Sequence, residues 1–457
     1  MYIKYNLMKM GFFALALSLA ACHKEAKIYV SPKLVEASHP ITTDTLTGTV
    51  SGTLVAGKTY YFRTDITVNA KDTLYMQPGS KLISLGDGLS TATSPQITCN
   101  GTFISVGTPD ANNYITVPDG LRTFDNAGKG YWGGIQCGET SGDIILKWTH
   151  LEFAGQQAGP KADLNVFAPT DTRNSLSYTN IDGNVIIEDC WIYGTADDGM
   201  RILHGKVSIM RNTFEDCGTG GGEALNMKNG CVGDVAYNLV IGASTNAFKI
   251  SNSGGGAIEN KTYLYNNTML NSGFRQLKSG RGGSIDYEKG ASGKIYNNVI
   301  VNCRFGVRIT GDADIANIAL NNQQFYANDI SLTGQFYAVD GVVNGTTIKF
   351  PDADIIGAPK ANNPVFKNYD VDQLNFSTVK PPLAVMPEAI VTHANYDFGF
   401  LASGPGYKKG NTSFKALRTV PQGGNLGATT LDPNVDMGAY PTDGSGNKHF
   451  TSSLFSK

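Results

Sequence analysis

The sequence predicts an all-β solenoid, and three observations predict it. One apolar phrase returns five times between residues 185 and 310, as Ile186 to Trp191, Ile209 to Phe214, Val235 to Val240, Leu264 to Met269 and Ile295 to Ile300. Set on Asp189, Asn212, Asn238, Asn267 and Asn298, the phrases lie 23, 26, 29 and 31 residues apart, a drift that suits a coil with variable loops better than strict tandem modules. The 54 glycines supply turns at short intervals and leave few stretches suited to long helices.

The columns carry the argument further. Three places before the anchor stand Ile186, Ile209, Val235, Leu264 and Ile295, and two places after it Trp191, Phe214, Val240, Met269 and Ile300. An inward row requires such apolar side chains. Five places after the anchor stand Gly194, Cys217, Ala243, Ser272 and Cys303, all small, which marks a tight corner. Asn at the anchor tolerates the left-handed backbone of a sharp bend, and stacked Asn side chains can hydrogen-bond from coil to coil. A coil of about 23 residues with these columns resembles the right-handed single-stranded parallel β-helix of pectin-lyase-like proteins. Aligned columns argue against a β-sandwich.

Residues 1–21 read as an export signal: Lys4 and Lys9, then an apolar run from Met10 to Leu19, then Ala20-Ala21. The run is too short for a transmembrane helix. Leu19-Ala20-Ala21-Cys22 resembles a bacterial lipobox, which implies cleavage before Cys22, lipid attachment to its thiol and, with His23 next, the outer membrane. Residues 22–45 are expected to be a tether, 46–442 one β-helix with irregular C-terminal coils, and 443–457 a tail.

From Gly48 onward the text alternates. Leu74 to Ile83, with Pro78-Gly79, and Ile97 to Gly107 resemble the first coils of bacterial surface β-helices, as do Tyr131 to Ile135 and Leu146 to Leu151. Thr149 sets on the anchor column with Leu146 and Leu151 inward. Residues 154–182 read as a long insertion of weak periodicity, either functional or an excursion. After Gly311 the ladder loosens, and Asn363 to Phe366, Asp397 to Phe400 and Asp436 to Tyr440 resemble a closing segment that must cover an open edge.

The formal charge of −2 falls to about −4 without Lys4 and Lys9, so no global basic field argues for nucleic acid. The six cysteines after Cys22 contain no CxxC pair, which argues against thiol metal sites. Cys217 and Cys303 share a column but lie roughly 14 Å apart at about 4.8 Å per strand, too far for a disulfide.

Local charge is where chemistry enters. A second apolar run follows each phrase, at Met200 to Ile202, Leu225 to Lys228, Phe248 to Ile250, Phe274 to Lys278 and Val307 to Ile309. Alternation turns Arg201, Asn226, Lys249, Arg275 or Gln276, and Arg308 outward as one stripe, with Lys228 and Lys278 two places further along. Asp198, Glu223 and Asn246 form an oxygen-ligand column beside it, with Asp197 adjacent, a set suited to Ca²⁺. His150 and His204 read as structural or exposed.

Gly222 to Asn229 resembles the Glu-containing strand of calcium-dependent β-helix polysaccharide lyases of the chondroitinase B and alginate lyase type. That resemblance implies Glu223 as a Ca²⁺ ligand, Lys228 as general base and Lys249 as the second basic residue. Gly221 stands where those lyases carry a second acidic ligand, and Lys249 where they carry arginine. Asp197-Asp198-Gly199 resembles the calcium-binding turn of another pectate lyase family, for which Lys249 is the better base. The expected catalytic residues are therefore Lys228 and Lys249, the substrate-binding residues Arg201, Asn226, Arg275, Lys278 and Arg308, and the Ca²⁺ ligands Asp197, Asp198, Glu223 and Asn246. The expected partner is an acidic, uronate-containing polysaccharide, cleaved by β-elimination, and the chain is expected to be a lipid-anchored monomer. A non-catalytic glycan-binding or scaffold lipoprotein is the alternative. A glycosidase needs two opposed carboxylates, for which Asp197, Asp198 and Glu223 are the clustered candidates.

Overall fold

The structure, a computed structural model, describes residues 39–88, 94–159, 167–253, 259–337, 342–343, 346–347, 351–377 and 396–448. Among them nineteen strands form one parallel sheet and ten another, so the chain is a parallel β-helix. The larger sheet is two stacks joined by the long strand Thr59–Val68, whose first half pairs with Lys81–Ser84 and whose second half pairs with Ile97–Cys99, and by Thr45–Thr49, which pairs with both halves of it. Each full coil therefore presents three faces. The first is the ten-stranded sheet, which includes Asn184–Glu188, Gly205–Met210 and Cys231–Ala236. The second includes Trp191–Tyr193, Thr213–Glu215 and Leu239–Ile241, and the third includes Met200–Ile202, Leu225–Lys228 and Asn246–Ser251.

The core is written by the inward columns. Ile187, Ile209, Val235, Leu264 and Ile295 stand in register and are fully buried. The first coil is read one residue early by the sequence pattern, because Ile187 and not Ile186 faces inward and Ile192 and not Trp191 pairs with Phe214. Ile186 instead points out and packs beneath Val420 and Ala428. An outward apolar residue under a covering segment looks like core in a one-dimensional pattern.

The asparagines form a continuous internal ladder. Asn238 Oδ1 accepts the backbone N–H and the side-chain amide of Asn212 at 2.9 and 3.0 Å, and Asn267 and Asn298 repeat the arrangement one coil further each time. Gln323 continues the ladder, and Asp354 accepts its N–H. At the other end Asn212 accepts from the N–H of Cys190, so Cys190 and not Asp189 occupies this column. The left-handed residue is the one before each ladder Asn: Arg211, Tyr237, Asn266 and Asn297 have φ of 57, 58, 51 and 60°. Asp189 does the same before Cys190. Asn is thus chosen for its buried amide, and its neighbour makes the bend. A second corner repeats the device at Asp216, Gly242, Asn271 and Asn302, each just before its small residue, and at Gly194, which by the same one-residue shift aligns with Asp216 and leaves Thr195 in the small column.

Other expectations shift at the ends. The chain joins the coil before residue 46, since Pro40 bridges to Thr53 and Ile41 N–H donates to the Thr53 carbonyl. Residues 1–21, Cys22 and the tether up to residue 38 lie outside the described residues. The stretch 154–182 contains a rung of the third face, Leu176–Tyr178, paired with both Ile135–Cys137 and Met200–Ile202. Arg173 beside it is buried and donates to Gln96 and Ser94.

The C-terminal segment does more than close an end. Residues 411–447 run along the outside of the first face as a strap: Asp234 accepts from the N–H groups of Leu417 and Arg418, Glu188 from that of Thr429, and Lys147 donates to the Gly427 carbonyl. Phe414 packs on Tyr263, Tyr265 and Tyr296, while Asn447 reaches the Asn212 carbonyl. Phe366, Phe398 and Phe400 join the main core nearby.

His150 is buried, stacked on Tyr114 and bonded to Glu152, as a structural histidine. Burial would raise the Glu152 carboxyl, but the His150 hydrogen bond and the Arg122 charge outweigh it and hold the group at about 2. A carboxyl held there rather than at 4.5 contributes about 3 kcal/mol, present above pH 4.5 and lost as the pH falls through about 2. Glu152→Gln is expected to remove this acid-dependent loss from a series of denaturant titrations across that interval.

Candidate functional site

The third face carries the outward charges, and the pairing register fixes their order. Ser177, Arg201, Asn226, Lys249, Asp286 and Arg308 stand in one column, coil on coil. Their neighbours Met200, Ile202, Leu225, Met227, Phe248, Ile250, Ile285 and Tyr287 are buried, so alternation places the polar residues outside. Lys228, Ser251 and Glu288 form the next column.

One expected rung moves. Gly283–Glu288 and not Phe274 to Lys278 supplies the fourth strand, so Asp286 stands where Arg275 or Gln276 was expected. Arg275 is buried, ion-paired with Asp216, and donates to the carbonyls of Cys217 and Gly242. It holds a corner together, which removes it from the substrate-binding set. Lys278 lies on an exposed turn outside the sheet, so it is also not part of the second column.

Asp198 is the centre of the face. Its Oδ1 accepts the Glu223 N–H at 2.8 Å, and its Oδ2 accepts from Arg201 Nε at 2.7 Å and Asn226 Nδ2 at 2.9 Å. Burial would raise its carboxyl, but Arg201 and hydrogen bonds from Glu223 and Asn226 hold it below the usual range. Glu223 moves the other way. Burial and the Asp198 charge push it well up. Asp197 is pushed up to about 7 by burial and by Asp198.

Of the four cations in these two columns, three have carboxylate partners. Arg201 holds Asp198, Lys249 Nζ lies 3.0 Å from Glu288, and Arg308 lies 3.2 Å from Asp286. Burial opposes the charge on Lys249, but Glu223, Glu288 and Asp286 outweigh it and raise the amine. Lys228 differs. Among the described residues it makes no ion pair, its Nζ donates to Ser253 Oγ at 3.4 Å, and burial, then Lys249 and Arg201, lower its amine. A half-buried lysine near two cations is what a proton acceptor needs.

The expected Ca²⁺ ligands do not fit the ion. Both Asp198 oxygens are taken by protein donors, and the Arg201 guanidinium lies 2.7 Å from Oδ2. Ca²⁺ needs six or more free oxygen ligands. Among the described residues no group of three or more His, Cys, Asp or Glu side chains could hold a metal. Asn246 begins its strand, and its carbonyl accepts from Ala224 N–H. An opposed carboxylate pair for hydrolysis does not fit either, since Asp198 and Glu223 hydrogen-bond to each other.

Sequence reasoning passed over Asp286 and Glu288. The alternation Ser284 to Glu288 held the signal, but apolar residues at Phe274 and Leu277 fell nearer the expected interval. Comparison of the chain with family models, curated proteins and solved structures finds no match.

Proposed function

We propose that the third face of this β-helix binds a uronate-containing acidic polysaccharide and cleaves it by β-elimination, with Lys228 as the base. The observation that carries this reading is the contrast between the two lysines: Lys228 without an ion pair among the described residues and with its amine lowered, Lys249 paired with Glu288 and raised. Elimination removes the proton α to the uronate carboxylate, so that carboxylate must be neutralised while a neutral amine accepts the proton. Arg201 and Lys249 supply the positive charge next to Lys228, which takes over the task a Ca²⁺ ion performs in the lyases the sequence resembles. Glu223, whose carboxyl burial and Asp198 push up, stands beside them as the donor to the departing oxygen.

The resemblance to pectin-lyase-like proteins and the calcium-dependent lyases supports the same chemistry at the same coils. Export and lipid anchoring to the outer membrane, read from residues 1–22, would set the protein where extracellular polymers arrive. Pairing of Arg201, Lys249 and Arg308 with carboxylates favours a second reading, a non-catalytic glycan-binding surface. Incubation with alginate, pectate, chondroitin and hyaluronan in excess chelator separates the two. The ultraviolet absorbance of an unsaturated product is expected to grow on at least one polymer and to persist with chelator. Binding without product on any of them would leave only the second reading.

A further inference from the structure

Cys99 and Cys137 occupy adjacent rungs of the third face, Ile97–Cys99 and Ile135–Cys137, and are paired in register. Both point inward and are buried, and both are free thiols. The Cys99 thiol donates to the Gly101 carbonyl at 3.2 Å, and burial, with Cys99 alongside, raises the Cys137 thiol. In-register neighbours on parallel strands have Cα atoms about 4.8 Å apart, within the roughly 4.4–6.8 Å that a disulfide spans. No other two cysteines among the described residues share a strand register; Cys231, for example, pairs with Gly205. Cys190 has Asn212 beside it.

We infer that Cys99 and Cys137 are a redox pair, closed as a disulfide across two rungs when the chain folds in an oxidising compartment. The residues 1–21 that read as an export signal direct the chain to such a compartment. In the exchange two S–H bonds break and one S–S bond forms. The two electrons and two protons pass to an incoming disulfide, such as oxidised glutathione or the disulfide form of a protein oxidant, which leaves as two thiols. A buried thiol with a raised pKa is a poor nucleophile, so closure belongs to folding, before the next rungs cover the pair. The bond ties the loop between residues 99 and 137 and pins the early coils to one register.

The full chain is unfolded with reductant and refolded in two arms, with oxidised glutathione or with reductant. Each arm is alkylated in denaturant and mapped by peptide mass, alongside full-length protein purified from an exporting host. The oxidised arm and the exported protein are expected to give a linked peptide joining Cys99 to Cys137, two hydrogens lighter than the sum of its parts, in most molecules. The reduced arm is expected to give both cysteines alkylated. In Cys99→Ser the remaining Cys137 is expected to be alkylated in every sample. Alkylation of both cysteines in folded protein from the oxidised arm and from the exporting host would overturn the inference, as would either cysteine linked elsewhere. If the refolding arms do not return folded protein, the exported protein decides by the same peptide.

Discussion

Asn267→Ala is expected to destabilise the β-helix by about 3–5 kcal/mol, the largest stability effect of any single change to the ladder. The Asn267 side chain is fully buried and makes five hydrogen bonds of the ladder type: Oδ1 accepts from the N–H and amide of Asn238, and Nδ2 donates to Val235, Tyr265 and Asn298. Alanine would strip these groups of their partner inside an apolar core, where each unsatisfied donor or acceptor costs about 1–3 kcal/mol. Asn267→Asp would keep the acceptor but place a charge there, and is expected to be no less harmful. Denaturant unfolding followed by circular dichroism measures the loss. An effect below about 1 kcal/mol would mean that water replaces the amide and that the ladder contributes little.

Lys228→Met is expected to lower turnover on a uronate polymer by about 100- to 10,000-fold, the contribution typical of a positioned base. Methionine keeps the half-buried stem and removes the amine, so the fold should persist. Because the base must be neutral, the wild-type rate should rise with pH through the Lys228 value, which burial, Lys249 and Arg201 set below the ordinary lysine 10.5. Lys249→Met should act differently, by weakening substrate binding and by restoring Lys228 toward its ordinary value. A shift of the pH profile to higher pH in that variant distinguishes a tuning neighbour from a second base. Equal loss of turnover in both variants without a pH shift would contradict the roles assigned to them.

The inward columns were legible because a solenoid repeats its burial pattern along the chain. Val235, Leu264 and Ile295 could be placed from spacing alone, and so could Thr149 on the ladder column. What failed did so where burial comes from sequence-distant partners. Ile186 looked inward because nothing near it announces Val420 and Ala428 of the strap. Arg275 looked like one more outward cation because Asp216, two coils away, is its partner. Leu176–Tyr178 was hidden in what looked like an insertion, since a three-residue strand leaves almost no periodicity. The site was legible in its location and less so in its chemistry. Spacing put Asp198, Glu223, Lys228 and Lys249 on one face, but whether Asp198 has free oxygens depends on Arg201 and Asn226 bonding to it.

The third face is expected to break a glycosidic bond by elimination and not by adding water. Cleaving a uronate polymer in water enriched with heavy oxygen and weighing the fragments tests it most directly. Elimination predicts new non-reducing ends lighter by one water, carrying a double bond, with no heavy oxygen fixed at the time of cleavage. Fragments of full hydrated mass that carry one heavy oxygen at the new reducing end from the moment of cleavage would contradict it.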